Sequence, residues 1–291
     1  MKKLYTVFFS VLLFSASTFG QIEDRLSYLL DSDVKQYVQP FVNSVSTALN
    51  SSMYHSASVS DLVGFSIGFQ GMFVFVPDDQ LRFTPTGLPA GYSADHNTAT
   101  IFGGDGAYYN GPYGYITYPS GLEDVKNIPM IIPQIGISVL GTEALFRYFP
   151  KIDVGETNLG YFGIGIKHEI SRYFPMLPLD IAAQVFYSKL EVEKYMTSKN
   201  LSINLIASKT FAILCVYGGL QIESSTMDLT YTFTDPNNIG IGERDINLSI
   251  DGDNSFRFTA GFALELGFFV LNADYGLGNQ SVVNGGFSFE F

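Results

Sequence analysis

Three histidines, one cysteine and two glycine-rich motifs are the residues of this chain that offer chemistry. His55, His96 and His168 are the candidate general bases, and Cys215 is the lone thiol. Gly64-Phe65-Ser66-Ile67-Gly68 has the spacing of a nucleophile elbow, which presents its serine on a sharp strand-to-helix turn. Here the motif sits inside one continuous alternating strand, so Ser66 reads as a small inward-facing side chain. Gly160-Tyr161-Phe162-Gly163-Ile164-Gly165 is rich enough in glycine for a phosphate loop, but no helix N-terminus follows it to hold the anion. His168 falls on the outward phase of its strand, and His55 and His96 lie outside the strands. No Ser–His pair is implied, and the chain is read as a non-enzyme. A single cysteine excludes an intramolecular disulfide and a cysteine-based zinc site. Asp78, Asp79, Asp95, Asp105, Glu123 and Asp124 crowd one segment. Their spacing matches no calcium-loop signature, so they read as solvated loop acids. No cofactor or metal is expected.

The ionisable residues inside apolar stretches say more. Glu143, Arg147, Lys167, Glu169, Arg257, Glu265, Asp274 and Glu290 fall on the opposite phase from the large apolar residues of their segments. Those segments alternate with period two. One face is then lipid-like and the other small or polar, as in a barrel that crosses a membrane. In a small soluble barrel the apolar face is inside. A charge on the lipid side costs about 2–4 kcal/mol near the midplane, so these residues are expected to face the lumen. There they form either a salt-bridged network or the lining of a solute path, with Arg147, Lys167 and Glu169 as the expected contacts. Eight to ten strands leave an interior mostly filled by side chains, which favours the network unless helices or a lid create a pocket.

The elements that must position these residues are strands. At the C-terminus Val283, Gly285, Phe287, Phe289 and Phe291 lie on one face, against Asn284, Gly286, Ser288 and Glu290 on the other. An alternating strand that ends in Phe is the usual closing strand of an outer-membrane barrel, and the feature by which assembly machinery would engage it. The same alternation places ten strands at 62–77, 130–140, 142–150, 157–172, 179–193, 196–209, 211–233, 244–266, 268–277 and 280–291. Short turns are expected at Gly141, Lys209-Thr210 and Gly267, with a compact link at 174–178. Longer links are expected at 78–129, 151–156, 234–243 and around 193–195. Eight to fourteen strands stay open. Residues 78–129, with Gly103-Gly104-Asp105-Gly106 and Gly111-Pro112, either fold over or into the barrel as a lid or hide a hairpin around Thr98–Phe102 and Tyr113–Tyr118.

Ahead of the barrel, Ile22, Leu26, Leu29, Leu30, Val34, Val38, Phe41, Val42, Val45 and Leu49 recur at threes and fours, the period of an amphipathic helix. Pro40 is expected to divide it into two short helices, which plug the lumen or lie on the periplasmic side. Lys2 and Lys3, the apolar run Val7–Phe14 and the small-x-small site Thr18-Phe19-Gly20 read as a secretory signal peptide. The expected division is a signal peptide at 1–20, a helical segment at 21–58 and a barrel at 59–291.

Composition agrees. Charged residues are 15% of the 291, against a usual ~25%. Apolar residues are 46%, with 26 Phe and 29 Gly. A net charge of −12 without a basic stripe argues against nucleic acid. Beyond residue 20 no run of about 18 apolar residues exists, so no helical span is expected. The remaining structure able to cross a bilayer is a closed β-barrel. The expected fold is all-β: a transmembrane antiparallel barrel of about ten strands behind a short helical segment, exported to the outer membrane.

Several segments together resemble a family of uncharacterised outer-membrane barrels, the domain-of-unknown-function 6588 family. They are Tyr37-Val38-Gln39-Pro40-Phe41, Ala48-Leu49-Asn50-Ser51-Ser52-Met53-Tyr54, Gly141-Thr142-Glu143-Ala144-Leu145-Phe146-Arg147-Tyr148-Phe149-Pro150 and Gly163-Ile164-Gly165-Ile166-Lys167-His168-Glu169-Ile170, with Pro175, Pro178 and Asp180. The family tends to carry Trp near Met53, and this chain has none. The resemblance implies the fold and the location and is silent on chemistry. More distantly, the helix-then-barrel layout is similar to the long-chain fatty-acid transporters, whose barrels have more strands, so no ligand residue carries over. The leading functional expectation is a barrel that binds or passes a small hydrophobic compound in contact with membrane lipid. The alternative is a structural or adhesion barrel with a filled lumen. A third is an outer-membrane hydrolase.

Overall fold

The computed structural model describes residues 31–123, 125–154, 157–233 and 244–291. The expected signal peptide, residues 21–30, Asp124 and the 234–243 link lie outside them. Helix α1 spans Asp31–Leu49. Strand β1 (Gly64–Phe75) follows, then a cap of short elements: β2 (Arg82–Phe83), β3 (Thr98–Ala99), β4 (Tyr108–Gly111) and β5 (Gly114–Thr117). The wall continues with β6 (Asn127–Val139), β7 (Thr142–Val154), β8 (Thr157–Glu169), β9 (Asp180–Val192), β10 (Met196–Phe211), β11 (Leu214–Phe233), β12 (Arg244–Asp251), β13 (Phe256–Leu266), β14 (Phe269–Leu277) and β15 (Val282–Glu290).

Each wall strand pairs antiparallel with its sequence neighbour, and β1 closes the ring against β15 from Ser66↔Glu290 to Val74↔Val282. The closure extends to the last residue, where Phe65 and Phe291 exchange backbone hydrogen bonds of 3.0 and 2.9 Å. Strands β12 and β13 share one place in the ring. β12 pairs with Thr226–Phe233 of β11, and β13 pairs with Leu214–Ile222 of the same strand. The barrel therefore has ten staves, the even number that puts both ends of the wall on one side.

Two-residue turns at that side carry the backbone signature of tight hairpins. Leu140 and Gly141 have φ of 52° and 72°, as a type I′ turn requires at both central positions. The turn expected at Lys209-Thr210 lies further on, at Ala212-Ile213, because β10 stays in register with β11 through Phe211↔Leu214. Likewise β7 and β8 run on to Val154 and from Thr157, so the long link expected at 151–156 is short. The one long described link is the cap between β1 and β6. Its end of the barrel is the loop end, and the other is the turn end.

The outward phase is apolar all round. Phe65, Ile67, Phe69, Phe73 and Phe75 of β1, Val185 and Tyr187 of β9, and Phe287 and Phe289 of β15 are all exposed. In a water-filled surrounding this belt would be a large uncompensated cost; facing lipid it is at home.

Pro40 does not end the helix as expected. Helix α1 runs through it, because the helix is enclosed and tertiary packing outweighs the about 3 kcal/mol that a missing N–H and ring clash cost an isolated helix. The Pro40 carbonyl is well used: Ser44 Oγ and Gln280 Nε2 donate to it at 2.9 and 3.2 Å.

Candidate functional site

The site is the lumen, and it is occupied by the chain's own N-terminal segment. Helix α1 sits at the loop end. Its apolar stripe, Val34, Val38, Val42, Val45 and Leu49, is buried against Met72, Ile132, Met227 and Val282 of the wall and Ile101 and Phe102 of the cap. The expectation of a small or polar inner face thus fails in this half, where the lumen is lined like the core of a soluble protein. The reason is the helix: an amphipathic segment inside the barrel must bury its own apolar stripe against the wall.

The cap is tied to the helix start. Buried Asp33 accepts the Thr86 and Gly87 amides at 2.9 and 3.1 Å and the Tyr118 hydroxyl. The Tyr37 hydroxyl donates to the Ser120 carbonyl at 2.9 Å, and the Ile101 amide to the Tyr37 carbonyl at 2.9 Å. Burial first, and then the Asp33 carboxylate, hold the Tyr118 phenol well above its ordinary range. The cap covers the helix as a lid, and its ladders are β2–β3 and β4–β5, not the expected pairing of 98–102 with 113–118.

Beyond Leu49 the chain runs as an irregular, bent segment down the lumen to β1, and in this half the wall is polar. A buried irregular segment with no ladder partner must find hydrogen bonds elsewhere, and the wall side chains supply many of them. Arg147 Nη1 donates to the Ser51 carbonyl at 3.0 Å and Nη2 to the Ser52 carbonyl. Gln221 Nε2 donates to the Asn50 carbonyl at 3.0 Å and Lys167 Nζ to the Ser56 carbonyl at 3.2 Å. Ser208 Oγ accepts the Ala57 amide at 2.9 Å, and Glu169 Oε2 accepts the Val59 amide at 2.7 Å. The Cys215 thiol points at the His55 carbonyl, 3.7 Å away.

Ion pairs complete the filling. Lys167 Nζ lies 2.7 Å from Glu143, and Arg257 Nη2 lies 2.8 Å from Glu223, both of the latter pair about 1% exposed. His55 Nε2 lies 3.2 Å from Glu290. Arg147, wholly buried, also donates to Gln134 at 2.9 Å and lies over the Phe186 ring at 5.3 Å. Asp274 accepts from Tyr217 at 2.8 Å and Asn284 at 2.6 Å. Glu265 is half-buried near the turn end.

Of the predicted lumen residues, the structure gathers Glu143, Arg147, Lys167, Glu169 and Glu290 around the 50–59 segment. Arg257 and Asp274 form a second group on β13 and β14. Sequence reading missed Glu223, His55 and the glutamines. Alternation along β11 places Glu223 in phase with Cys215 and Tyr217, so its signal was present. His55 had no such signal, because it lies in no periodic element.

Two small cavities lie in the polar half among the described residues. A cavity of about 10 Å³ lies among His55, Ser66, Gln134, Glu143, Lys167 and Glu290, and another of about 10 Å³ among Asn50, Tyr54, Gln221, Arg257 and Asp274. Each has room for about one water. His55 and Ser66 border the same cavity, yet His55 Nε2 pairs with Glu290, and no Ser66–His55 hydrogen bond is present among the described residues. His96 stacks on Tyr109 in the cap, and His168 bonds Thr142 and Tyr173.

Comparison with known proteins adds the following. No curated protein matches the chain. Among solved structures, Ail, the attachment invasion locus protein of Yersinia pestis, is 12% identical over 79% of this chain and 97% of its own, with a TM-score of 0.23. The Ralstonia pickettii toluene transporter TbuX is 8% identical over 81% of this chain and 90% of its own, at 0.26. A mutant Rh. blastica porin is 10% identical over 79% and 99%, at 0.21. At TM-scores this low nothing of their activities carries over. A family model matches the whole chain, residues 1–291, and the protein belongs to that family, described as a family of unknown function, DUF6588.

Proposed function

We propose that this protein is an outer-membrane barrel closed by its own N-terminal segment, one that holds its cap at the cell surface and passes no ions in this form. The observation that carries the reading is the irregular stretch 50–59 inside the barrel, hydrogen-bonded by side chains of β7, β8, β10 and β11. The apolar belt supports a bilayer as the surroundings. Among the described residues no helix is long and apolar enough to cross a membrane, which says nothing of strands. Short turns face the periplasm and long loops the outside in such barrels, so the cap is external. Single-channel recording of the refolded protein in a planar bilayer tests this: the closed reading predicts insertion without steady ion steps, and steady conductance would overturn it.

A second reading, binding of a small hydrophobic compound, is favoured by the apolar lining of the loop half, around Met72, Ile132 and Phe149. It requires helix α1 or the wall to yield, since the lumen there is packed.

A further inference from the structure

We propose that the barrel wall carries a lateral cleft for a lipid acyl chain between β6 and β7, in the loop half of the membrane-facing belt. The ladder between these strands covers only Gln134↔Arg147 to Val139↔Thr142. Above it β6 stays with β1 up to Phe75↔Asn127, and β7 stays with β8 up to Val154↔Thr157. Residues 127–133 of β6 have no strand partner on the β7 side among the described residues. The other neighbouring pairs in the ring keep their ladders along most of the shorter strand. Pro133 is level with Phe69 of β1, and Pro129 with Phe73, so the parting begins within the apolar belt.

The residue types at this seam explain why it stays unpaired. Among the described strands, the only prolines are Pro129 and Pro133 on β6 and Pro150 on β7. The tight turn makes Val139 and Thr142 a hydrogen-bonded pair, so odd positions of β6 and even positions of β7 aim their backbone groups into the seam. All three prolines fall on that phase, and a strand tolerates proline only at an edge or a bulge. A register shift between Phe149 and Ile152 follows Pro150. An added β-strand would need those missing donors, so these edges repel strand pairing.

An apolar rod needs no such donors. Both sides of the seam suit one. Pro129, Ile131 and Pro133 continue the lipid-facing belt, while Ile128, Met130 and Ile132 face inward and join Phe149 in the apolar cluster. Phe149 packs on Tyr161 at 6.1 Å between ring centres. No ladder joins residues 127–133 to β7 among the described residues, so the seam could part without breaking one. The occupant continuous with the belt is an acyl chain of the surrounding membrane lipid. This rests on the barrel spanning a bilayer and is independent of whether the lumen conducts.

The test uses the native protein in phosphatidylcholine vesicles doped with a phospholipid carrying a diazirine on its acyl chain. After irradiation, labelled residues are mapped by mass spectrometry. The cleft predicts label on lipid-facing Val185 and Ile203 and also on inward-facing Met130, Ile132 and Phe149, with inward-facing Gln184 and Asn204 of the fully paired β9–β10 wall clean. Replacing Pro129→Val and Pro133→Val together supplies the missing donors and should lower the label on Met130 and Ile132 while that on Val185 holds. Label on Val185 and Ile203 with Met130, Ile132 and Phe149 as clean as Gln184 would overturn the cleft alone. No label on Val185 or Ile203 would overturn the membrane reading and the cleft with it.

Discussion

Arg147 shows why a buried charge is worth keeping in this lumen. Its guanidinium gives two donors to the Ser51 and Ser52 carbonyls and one to Gln134, and among the described residues no carboxylate pairs with it. It is therefore a clamp on a backbone that has no ladder of its own. Arg147→Ala leaves two buried carbonyls without donors, at about 1–3 kcal/mol each. The expected outcome is a clear fall in the temperature at which the heat-modifiable band shifts on a gel, with Arg147→Lys recovering only part, since ammonium cannot fork. Unchanged heat stability in Arg147→Ala would remove the clamp. That Arg147 faces inward was legible from alternation with Phe146 and Tyr148. What it binds was not, because its partners are backbone carbonyls more than 90 residues earlier, and backbone atoms leave no trace in residue type.

At the scale of elements, the strands were legible because lipid on one side and lumen on the other impose period two on every stave. The helix was legible too, but its continuity was not: Pro40 reads as a break unless the enclosing wall is known. The lumen's change from polar to apolar half-way up was also hidden, since it depends on which wall residues meet α1. The cap joins that helix through Asp33, and this contact has a pH signature. The Tyr118 phenol is held above its unfolded value near 10. A raised acid contributes stability that is present below the unfolded pKa and is lost as pH rises through the folded one. The wild-type advantage in heat stability over Tyr118→Phe should therefore be about 1–3 kcal/mol. It should stay level below about pH 10 and shrink above it. An advantage that grows with alkaline pH would contradict the Asp33–Tyr118 contact.

For the whole molecule, the direction of threading matters most. The segment enters from the loop end, descends the lumen and becomes β1 at the turn end, where Phe65 meets Phe291. On the turn side it is continuous with β1, so a pull from that side would act on the wall itself. The plug position was one of two that sequence left open, since hydrophobic period alone does not say what a helix packs against. The central claim, that this segment fills the lumen, can be read from the native protein without substitution. Cys215 is the sole cysteine, faces the lumen and is wholly buried against the His55 carbonyl. The measurement is its reaction with a small charged thiol reagent, in the folded protein and in the urea-unfolded chain. A filled lumen predicts that the folded protein stays unmodified over the time in which the unfolded chain reacts to completion. Comparable labelling of the folded protein would mean that water and solute reach the lumen wall, and would contradict the account.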